Sequence, residues 1–269
     1  MIRRPIPLWL FASLAAAGVL LAMGCYAVLS VRQTRINESQ NVLPGIKGLS
    51  KGLAEITKSR GSEAKPKPSW LVTDSKATYW RLLLGLAAGT VVSIGVGVAM
   101  GAYSAAEAFF SPMINFMAKI PPTAMLAVYM VVFGTKLEMY VALVAFGVFF
   151  TMVQSIYQAV KKDVAADLID KAYTLGASEF EVIIEVIWKQ VLPRVIENIR
   201  LHLGPAMVFL IAAEMLFASE GFGYTIRQQS RLVNMNVVYI YLAILGLSGL
   251  LFDWLLLRLR RWLCPWFGE

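Results

Sequence analysis

Apolar residues in this sequence are gathered into long blocks, and this blocking restricts the chain to very few kinds of fold. Hydrophobic residues make up 58% of the 269 residues and charged residues 16%, whereas a soluble domain carries about 25% charged residues. Blocks of about 20 apolar residues match the thickness of a bilayer's hydrocarbon core. Because a backbone in lipid must satisfy its own hydrogen bonds, the blocks are predicted to be helices. The predicted fold class is an all-α, polytopic membrane helix bundle with six transmembrane helices.

The six blocks set the predicted order of the chain. Residues 1–31 form the first transmembrane helix, 32–78 an extracytoplasmic loop and linker, 79–262 a core with five further spans, and 263–269 a cytoplasmic tail. The spans are predicted at 7–31, 79–101, 112–134, 139–160, 199–218 and 237–257. A cleaved signal peptide is the alternative for the first block, which is longer than a signal core of roughly 7–15 residues. Within the loop, residues 48–56 have helical character and 59–69 are predicted to be a flexible linker.

Charge indicates the orientation. Basic residues flank the first, fourth and sixth blocks: Arg3, Arg4, Lys161, Lys162, Arg258, Arg260 and Arg261. Such residues mark cytoplasmic span ends, so both termini are predicted inside, although the basic loop at 32–78 runs against the tendency. The net charge of +8 fits anionic lipid headgroups and disfavours a nucleic-acid partner. Two cysteines and one histidine supply no metal-ligand cluster, so no metal site is predicted.

The segment 163–193 is a mixed polar and apolar stretch between two hydrophobic blocks. Apolar residues recur at helical spacing from Val164 to Leu175, and Asp163 is predicted to cap this amphipathic helix. Gly176 ends the helix, and Ser178 with Glu181 forms a capping box that starts a second one. Pro193 is predicted to mark the next boundary. Two short helices joined at a glycine indicate a docking surface.

Intramembrane charge is the strongest signal for a functional position. Glu214 lies within the fifth block, where a charge costs about 2.5–3.5 kcal/mol on insertion scales. Its role is open between a pathway or gate contact and a structural pair with Arg227, a tyrosine or a backbone amide. His202 is expected to be structural, and Asp253 is expected to snorkel to the membrane interface or to pair with Arg258. The sequence contains no G-x-x-x-x-G-K-[ST] motif, so no nucleotide site is predicted on this chain.

Prolines in the third block and glycine pairs in the second block indicate how these two predicted helices bend and pack. Pro121-Pro122 interrupts the third block, which indicates either a broken helix near a translocation pathway or a helix start after an interfacial segment. Glycine pairs with four-residue spacing in the second block permit another helix to approach closely. The second block is therefore either a pore-lining or dimer helix or a helix packed within the subunit. These pairs are Gly85 with Gly89 and Gly97 with Gly101.

Several motifs in one order resemble a known family. The stretch from Asp170 through Ala172, Leu175, Gly176 and Ala177 to Ser178, followed by Leu192-Pro193, resembles the cytoplasmic E-A-A loop of bacterial ABC-importer permeases. It is closest to the E-A-A-x-T-L-G-A-S pattern of the taurine, sulfonate and nitrate branch. Further similar stretches are Leu43–Gly45, Lys119–Pro122, Phe133-Gly134, Gly147–Phe150, Ala213–Met215 and Ser219–Tyr224, which contains Gly221 and Gly223. Lys171, Tyr173 and Lys189 depart from the pattern.

The resemblance, which covers about residues 42–262, implies the type I ABC-importer permease fold and a homodimer. It implies an ABC ATPase dimer on the cytoplasmic face that binds ATP and Mg, with no cofactor on this chain. A periplasmic or lipid-anchored solute-binding protein would deliver a small anion such as a sulfonate, taurine or nitrate. Residues 163–193 would be the coupling helices in a bacterial inner-membrane protein. Pro121, Pro122, Glu214, Gly221 and Gly223 are the pathway or gate candidates.

Three other classes compete with this interpretation. An ion-gradient-driven secondary transporter would show inverted repeats and several buried charges, and the sequence shows neither clearly. A membrane enzyme acting on lipids would need clustered polar side chains, which a single histidine disfavours. A structural assembly subunit would not account for the ordered motifs.

Overall fold

The computed structural model describes residues 7–36, 43–58 and 68–267. Arg3, Arg4 and most of the linker predicted at 59–69 lie outside the described residues. Eleven α-helices follow in the described part of the chain: α1 (Leu8–Ile36), α2 (Ile46–Thr57), α3 (Trp70–Ala102), α4 (Ser104–Met117), α5 (Leu126–Phe133), α6 (Leu137–Asp163), α7 (Ala166–Thr174), α8 (Glu179–Glu181), α9 (Lys189–Phe217), α10 (Phe222–Arg231) and α11 (Met235–Leu263). A 3₁₀ turn at Pro122–Met125 precedes α5, and a π-helix at Val182–Trp188 joins α8 to α9.

The number of spans agrees with the six predicted. Among the described residues, five helices are long and apolar enough to cross a membrane: Trp9–Gln33, Trp70–Ala102, Leu137–Asp163, Glu179–Phe217 and Met235–Leu263. The pair Ser104–Met117 and Pro122–Phe133 passes the same test together but is bent by 82° at its break, and counting it as one span gives six. The all-α fold class is therefore confirmed, and Pro121-Pro122 lies at a broken helix.

Helices extend into four stretches where other structure was predicted. Residues 70–78 belong to α3, and α4 covers most of the connector expected at 102–111. The external loop expected at 219–236 contains α10. Pro193 ends no helix, because α9 continues through Pro193 and Pro205. Pro193 is buried, and packing with neighbours allows membrane helices to tolerate proline.

Contacts divide the chain into two compact units. The first contains Met1–Trp70 and Ile226–Ala243. In it, the hydroxyl of Tyr26 donates to the carbonyl of Pro44 (2.8 Å), and Ser30 donates to that of Leu43 (2.9 Å). The helix expected at 48–56 is confirmed as α2. Its glycines face Asn236, whose backbone oxygen would lie 2.5 Å from a Cβ at Gly52.

The second unit, Leu71–Thr225 with Ile244–Glu269, is built around α6. The four paired glycines of α3 pack against α6: Gly85 on Val144, Gly89 on Ala145 and Val148, Gly97 on Ile156, and Gly101 on Val160. These pairs therefore serve packing within the subunit, one of the two predicted uses. α6 also packs against α9, and Leu143 and Leu210 are fully buried in the core that these two helices share.

We expect Gly89→Val to lower the thermal unfolding midpoint of the purified chain. A Cβ at Gly89 would lie 2.8 Å from the backbone oxygen of Ala145, and overpacking costs about 1–3 kcal/mol. Gly95→Val is the matched control in the same helix, because a Cβ at Gly95 meets nothing within 4 Å. Equal midpoints for the two variants, measured by size-exclusion chromatography after heating, would contradict the close α3–α6 packing.

Candidate functional site

Glu214 is fully buried and its carboxylate is held by three donors. Arg81 Nη1 lies 2.7 Å from Oε1, and the hydroxyl of Thr78 donates to the carboxylate at 2.9–3.0 Å. The backbone N–H of Gly223 donates to Oε2 at 3.0 Å. This contact set matches the structural alternative for Glu214, with a backbone amide and a cation as partners. The cation is Arg81, which the sequence analysis did not single out. A pathway or gate role for Glu214 stays a prediction.

Gly221 and Gly223 let the chain after α9 pass close to this carboxylate. Gly221 has φ +118°, and a Cβ there would lie 2.6 Å from Glu214 Oε1. A Cβ at Gly223 would lie 2.5 Å from the backbone oxygen of Ile211. Any side chain would therefore displace this turn from Glu214. Both glycines contact the network, although their predicted pathway role is untested.

A polar face at the start of α3 completes the network. Asp74, Thr78 and Arg81 follow at i, i+4 and i+7, which places them on one side of a helix. The carboxylate of Asp74 accepts from the N–H of Gly221 (3.0 Å) and from the hydroxyl of Thr225 (2.6 Å). Arg81 also donates to the carbonyl of Glu220 (2.9 Å). The i, i+4, i+7 spacing is present in the sequence. It could not be read as a helix face because residues 70–78 were predicted to be a loop, whereas they belong to α3.

A cavity of about 370 Å³ lies beside the broken helix. Pro122 lines it together with the end of α4, the start of α5, and the facing sides of α6 and α9. Irregular backbone at membrane depth is tolerated where it is buried in protein or lines a cavity. A pathway beside the broken helix needs a cavity there, and Pro122 lines one. The pathway role of Pro121-Pro122 itself stays a prediction. His202, predicted to be structural, also lines this cavity and is hydrogen-bonded through both ring nitrogens.

The two short helices of segment 163–193 are present, with α7 and α8 on either side of Gly176. Gly176 has φ +87°. Its N–H donates to the carbonyl of Tyr173, and the N–H of Ala177 donates to that of Ala172. These two bonds form a Schellman motif. Ser178 and Glu181 form the predicted capping box. Asp163, however, is the last residue of α6 and does not cap α7, because it accepts from Arg194 Nε at 2.9 Å.

Apolar side chains at this helix pair point outward. Leu175 is 88% exposed and Phe180 72% exposed, while Asp170 is exposed and Ala172 and Ala177 are half-buried. Beneath the pair lies a groove of about 220 Å³ that Tyr103, Ile169 and Ile183 help to line. Desolvation raises the pKa of Tyr103, and the carboxylate of Glu179 at hydrogen-bond distance (3.3 Å) adds to this effect.

Ion pairs join the helices near this end of the unit. Arg200 forms a bidentate pair with Asp253 at 2.9 and 3.0 Å and also contacts Glu197. Arg200 is therefore the ion-pair partner of Asp253, where the sequence analysis had named Arg258. Arg260 donates to Glu197 at 2.9 Å, so α9 and α11 are connected twice.

A bundle of membrane-spanning helices with a cavity at a broken helix and an exposed, glycine-joined helix pair defines a polytopic transport subunit. The chain belongs to the family described as "Binding-protein-dependent transport system inner membrane component", which matches residues 89–264. A probable ABC transporter permease protein of Brucella melitensis biotype 1 is 31% identical over 196 residues, 73% of this chain and 79% of that protein. The taurine transport system permease protein TauC of Escherichia coli (strain K12) is 30% identical over 193 residues, 72% of this chain and 70% of that protein.

The fold is also found among solved structures. An inward-facing structure of the MetNI methionine ABC transporter matches with a TM-score of 0.65 at 19% identity, covering 72% of this chain and 96% of the matched chain. This likeness confirms the permease fold that the motifs implied.

We expect Glu214→Gln and Arg81→Gln each to destabilise the purified chain by about 3–5 kcal/mol, because each leaves a buried partner unpaired. The double variant should lose much less than the sum of the two. Thermal unfolding measures all three variants, with Glu138→Gln as the control because Glu138 is exposed. Additive losses would show that the two side chains do not form the pair.

Proposed function

We propose that this chain is the membrane subunit of an ATP-driven importer for a small anionic solute of the sulfonate, taurine or nitrate kind. A second copy of the chain completes the permease in the bacterial inner membrane. Two ABC ATPase subunits bind its cytoplasmic face and hydrolyse ATP, and a solute-binding protein delivers the solute from outside. The family membership supports this role, and TauC supports the kind of solute.

The observation that carries the proposal is the exposed apolar tip of the α7–α8 pair. Leu175 and Phe180 flank the Gly176 joint and are both largely exposed. Apolar side chains on a short capped helix fit a groove on a partner protein, and a rigid helix seated there transmits a rigid-body motion. The chain has no nucleotide motif of its own, so the energy source lies on that partner.

Support for a second copy comes from α9. Leu201, Gly204, Pro205 and Val208 form an exposed stripe at helical spacing. Small residues in such a stripe let two helices approach closely in lipid. This stripe borders the cavity, since Leu201 and Pro205 also line it. A dimer formed here would place two such cavities near its axis.

We propose that the basic loop attracts the anionic solute electrostatically towards the entrance of the permease. Lys47 and Lys51 are exposed one turn apart on one side of α2, and Lys58 is exposed just after the helix. Positive charge near an entrance raises the encounter rate of an anion and makes it salt-dependent. Uptake by a variant with these lysines neutralised should therefore lose its salt dependence.

We expect Leu175→Asp to abolish copurification of the ATPase while the permease still inserts. Leu175 is 88% exposed, so a charge there costs little in the free chain but is desolvated in a partner's groove. Ile46→Asp is the matched control, at 87% exposure on the opposite predicted side of the membrane. Affinity purification of the tagged chain, read out as ATP hydrolysis in the eluate, measures both. Retained ATPase with Leu175→Asp would contradict the docking surface.

We also expect Gly176→Glu to abolish transport with normal insertion. A steric clash is not the reason, because a Cβ at Gly176 meets nothing within 4 Å. The cause is the positive φ, which β-carbon-bearing residues rarely adopt. Gly176→Asn is the control, since Asn tolerates this conformation best, and it should retain most of the uptake. Equal uptake by the two variants, at equal expression, would show that the joint does not depend on its backbone conformation.

A further inference from the structure

The cavity at the broken helix has a composition that distinguishes it from an anion site. Among the described residues that line it, there is no Lys, Arg, Asp or Glu. Its walls are mostly apolar, and its volume of about 370 Å³ falls within the range of roughly 300–1,000 Å³ for small-molecule pockets. A fully ionised inorganic anion would lose its water there with few donors in return, which is costly.

Aromatic rings form one wall of this cavity. Tyr129 and Phe146 stack with centroids 6.0 Å apart and an interplanar angle of 22°, and Phe150 continues the row at 6.3 Å from Phe146. Phe209 faces them from α9, because Gly147 leaves room for its ring: a Cβ at Gly147 would lie 2.6 Å from it. Aromatic rings on two sides of the cavity suit an apolar body of about the size of a ring.

One polar pair sits in this apolar lining. His202 Nδ1 lies 2.7 Å from the backbone oxygen of Asn198, which only accepts, so Nδ1 carries a proton. In the neutral ring, Nε2 therefore accepts from the hydroxyl of Thr151 at 2.9 Å. The same hydroxyl lies 3.2 Å from the carbonyl of Val148. When the hydroxyl turns to that carbonyl, Nε2 is released to accept a bond from a ligand; when it turns to the ligand, the hydroxyl itself can donate one.

We propose that the cavity binds an organic solute with a flat, ring-sized apolar body and one hydrogen-bonding head group. The body packs between the aromatic row and Phe209, and the head accepts from the Thr151 hydroxyl or donates to His202 Nε2. This inference rests on the proposed transport function and narrows its solute: the permease itself favours organic molecules over nitrate-sized ions. It assigns substrate discrimination to the membrane subunit, in addition to any selection by a binding protein.

The test is direct binding to the full-length chain in lipid nanodiscs, measured by saturation-transfer NMR. Benzenesulfonate and benzamide share a ring and differ in the charge of the head, and methanesulfonate has the head without the ring. We expect saturation transfer to the ring protons of both aromatic probes above the level in empty nanodiscs, and none to methanesulfonate. Excess benzamide should displace benzenesulfonate, and excess nitrate should not.

Two variants localise the signal. Gly147→Leu places a side chain in the cavity and should remove the signal, whereas Gly95→Leu, at an open position of α3, should preserve it. His202→Leu should weaken benzamide binding by about fivefold, the effect of one lost hydrogen bond. Each variant is first shown to elute as wild type in size-exclusion chromatography.

Several results would overturn the inference: no transfer to either aromatic probe, equal transfer in Gly147→Leu and Gly95→Leu, or displacement by nitrate. The measurement needs no ATPase and no binding protein. A chain that copurifies its ATPase but binds neither aromatic probe therefore refutes the cavity assignment and leaves the importer function standing. A chain that binds the aromatic probes but does not copurify an ATPase supports the cavity assignment and contradicts the importer function.

Discussion

The carboxylate of Glu214 is the constraint on which much of the second unit depends. A fully buried charge must be paired and hydrogen-bonded or it destabilises the fold by several kcal/mol. Satisfying it requires a polar face on α3, which Thr78 and Arg81 supply. It also requires glycine at two positions of the turn after α9, where a Cβ at Gly221 or Gly223 would be too close to Glu214 or to α9. One acidic residue thereby determines the register of α3 against α9 and the place where α10 begins.

The second constraint is the lack of water in a bilayer. The chain satisfies its backbone in long helices and departs from them at defined places. The break before Pro122 lies against the cavity, and the π-helix at Val182–Trp188 lies beside the exposed helix pair. From Glu179 to Phe217 the chain is helical without interruption. One helical element therefore connects α8 with the cavity wall at His202 and with Glu214.

The sequence predicted what depends on local pattern and missed what depends on distant contacts. The helical fold class, the capping box at Ser178 and the stop at Gly176 follow from nearby residues, and all are present. The partner of Asp253 lies 53 residues away at Arg200, a distance at which spacing along one chain carries no information. The boundary expected at Pro193 failed for a related reason, because burial among other helices outweighs the local preference of proline.

The distribution of polar contacts indicates where this permease can open. Three ion pairs join helices at the end of the unit that carries α7 and α8. They connect α6 to α4 (Lys161–Glu107), α6 to α9 (Arg194–Asp163) and α9 to α11 (Arg260–Glu197). Partly exposed pairs are weak singly, but as a set they oppose separation of these helices. Across the cavity, the 3₁₀ turn at Pro122–Met125 contacts α9, and the described residues that line the cavity include no charged side chain. Separating apolar surfaces that already border a cavity breaks no ion pair. A motion imposed on α7 and α8 should therefore move α6, α9 and the C-terminal part of α11 as one body and open the contact between the 3₁₀ turn and α9.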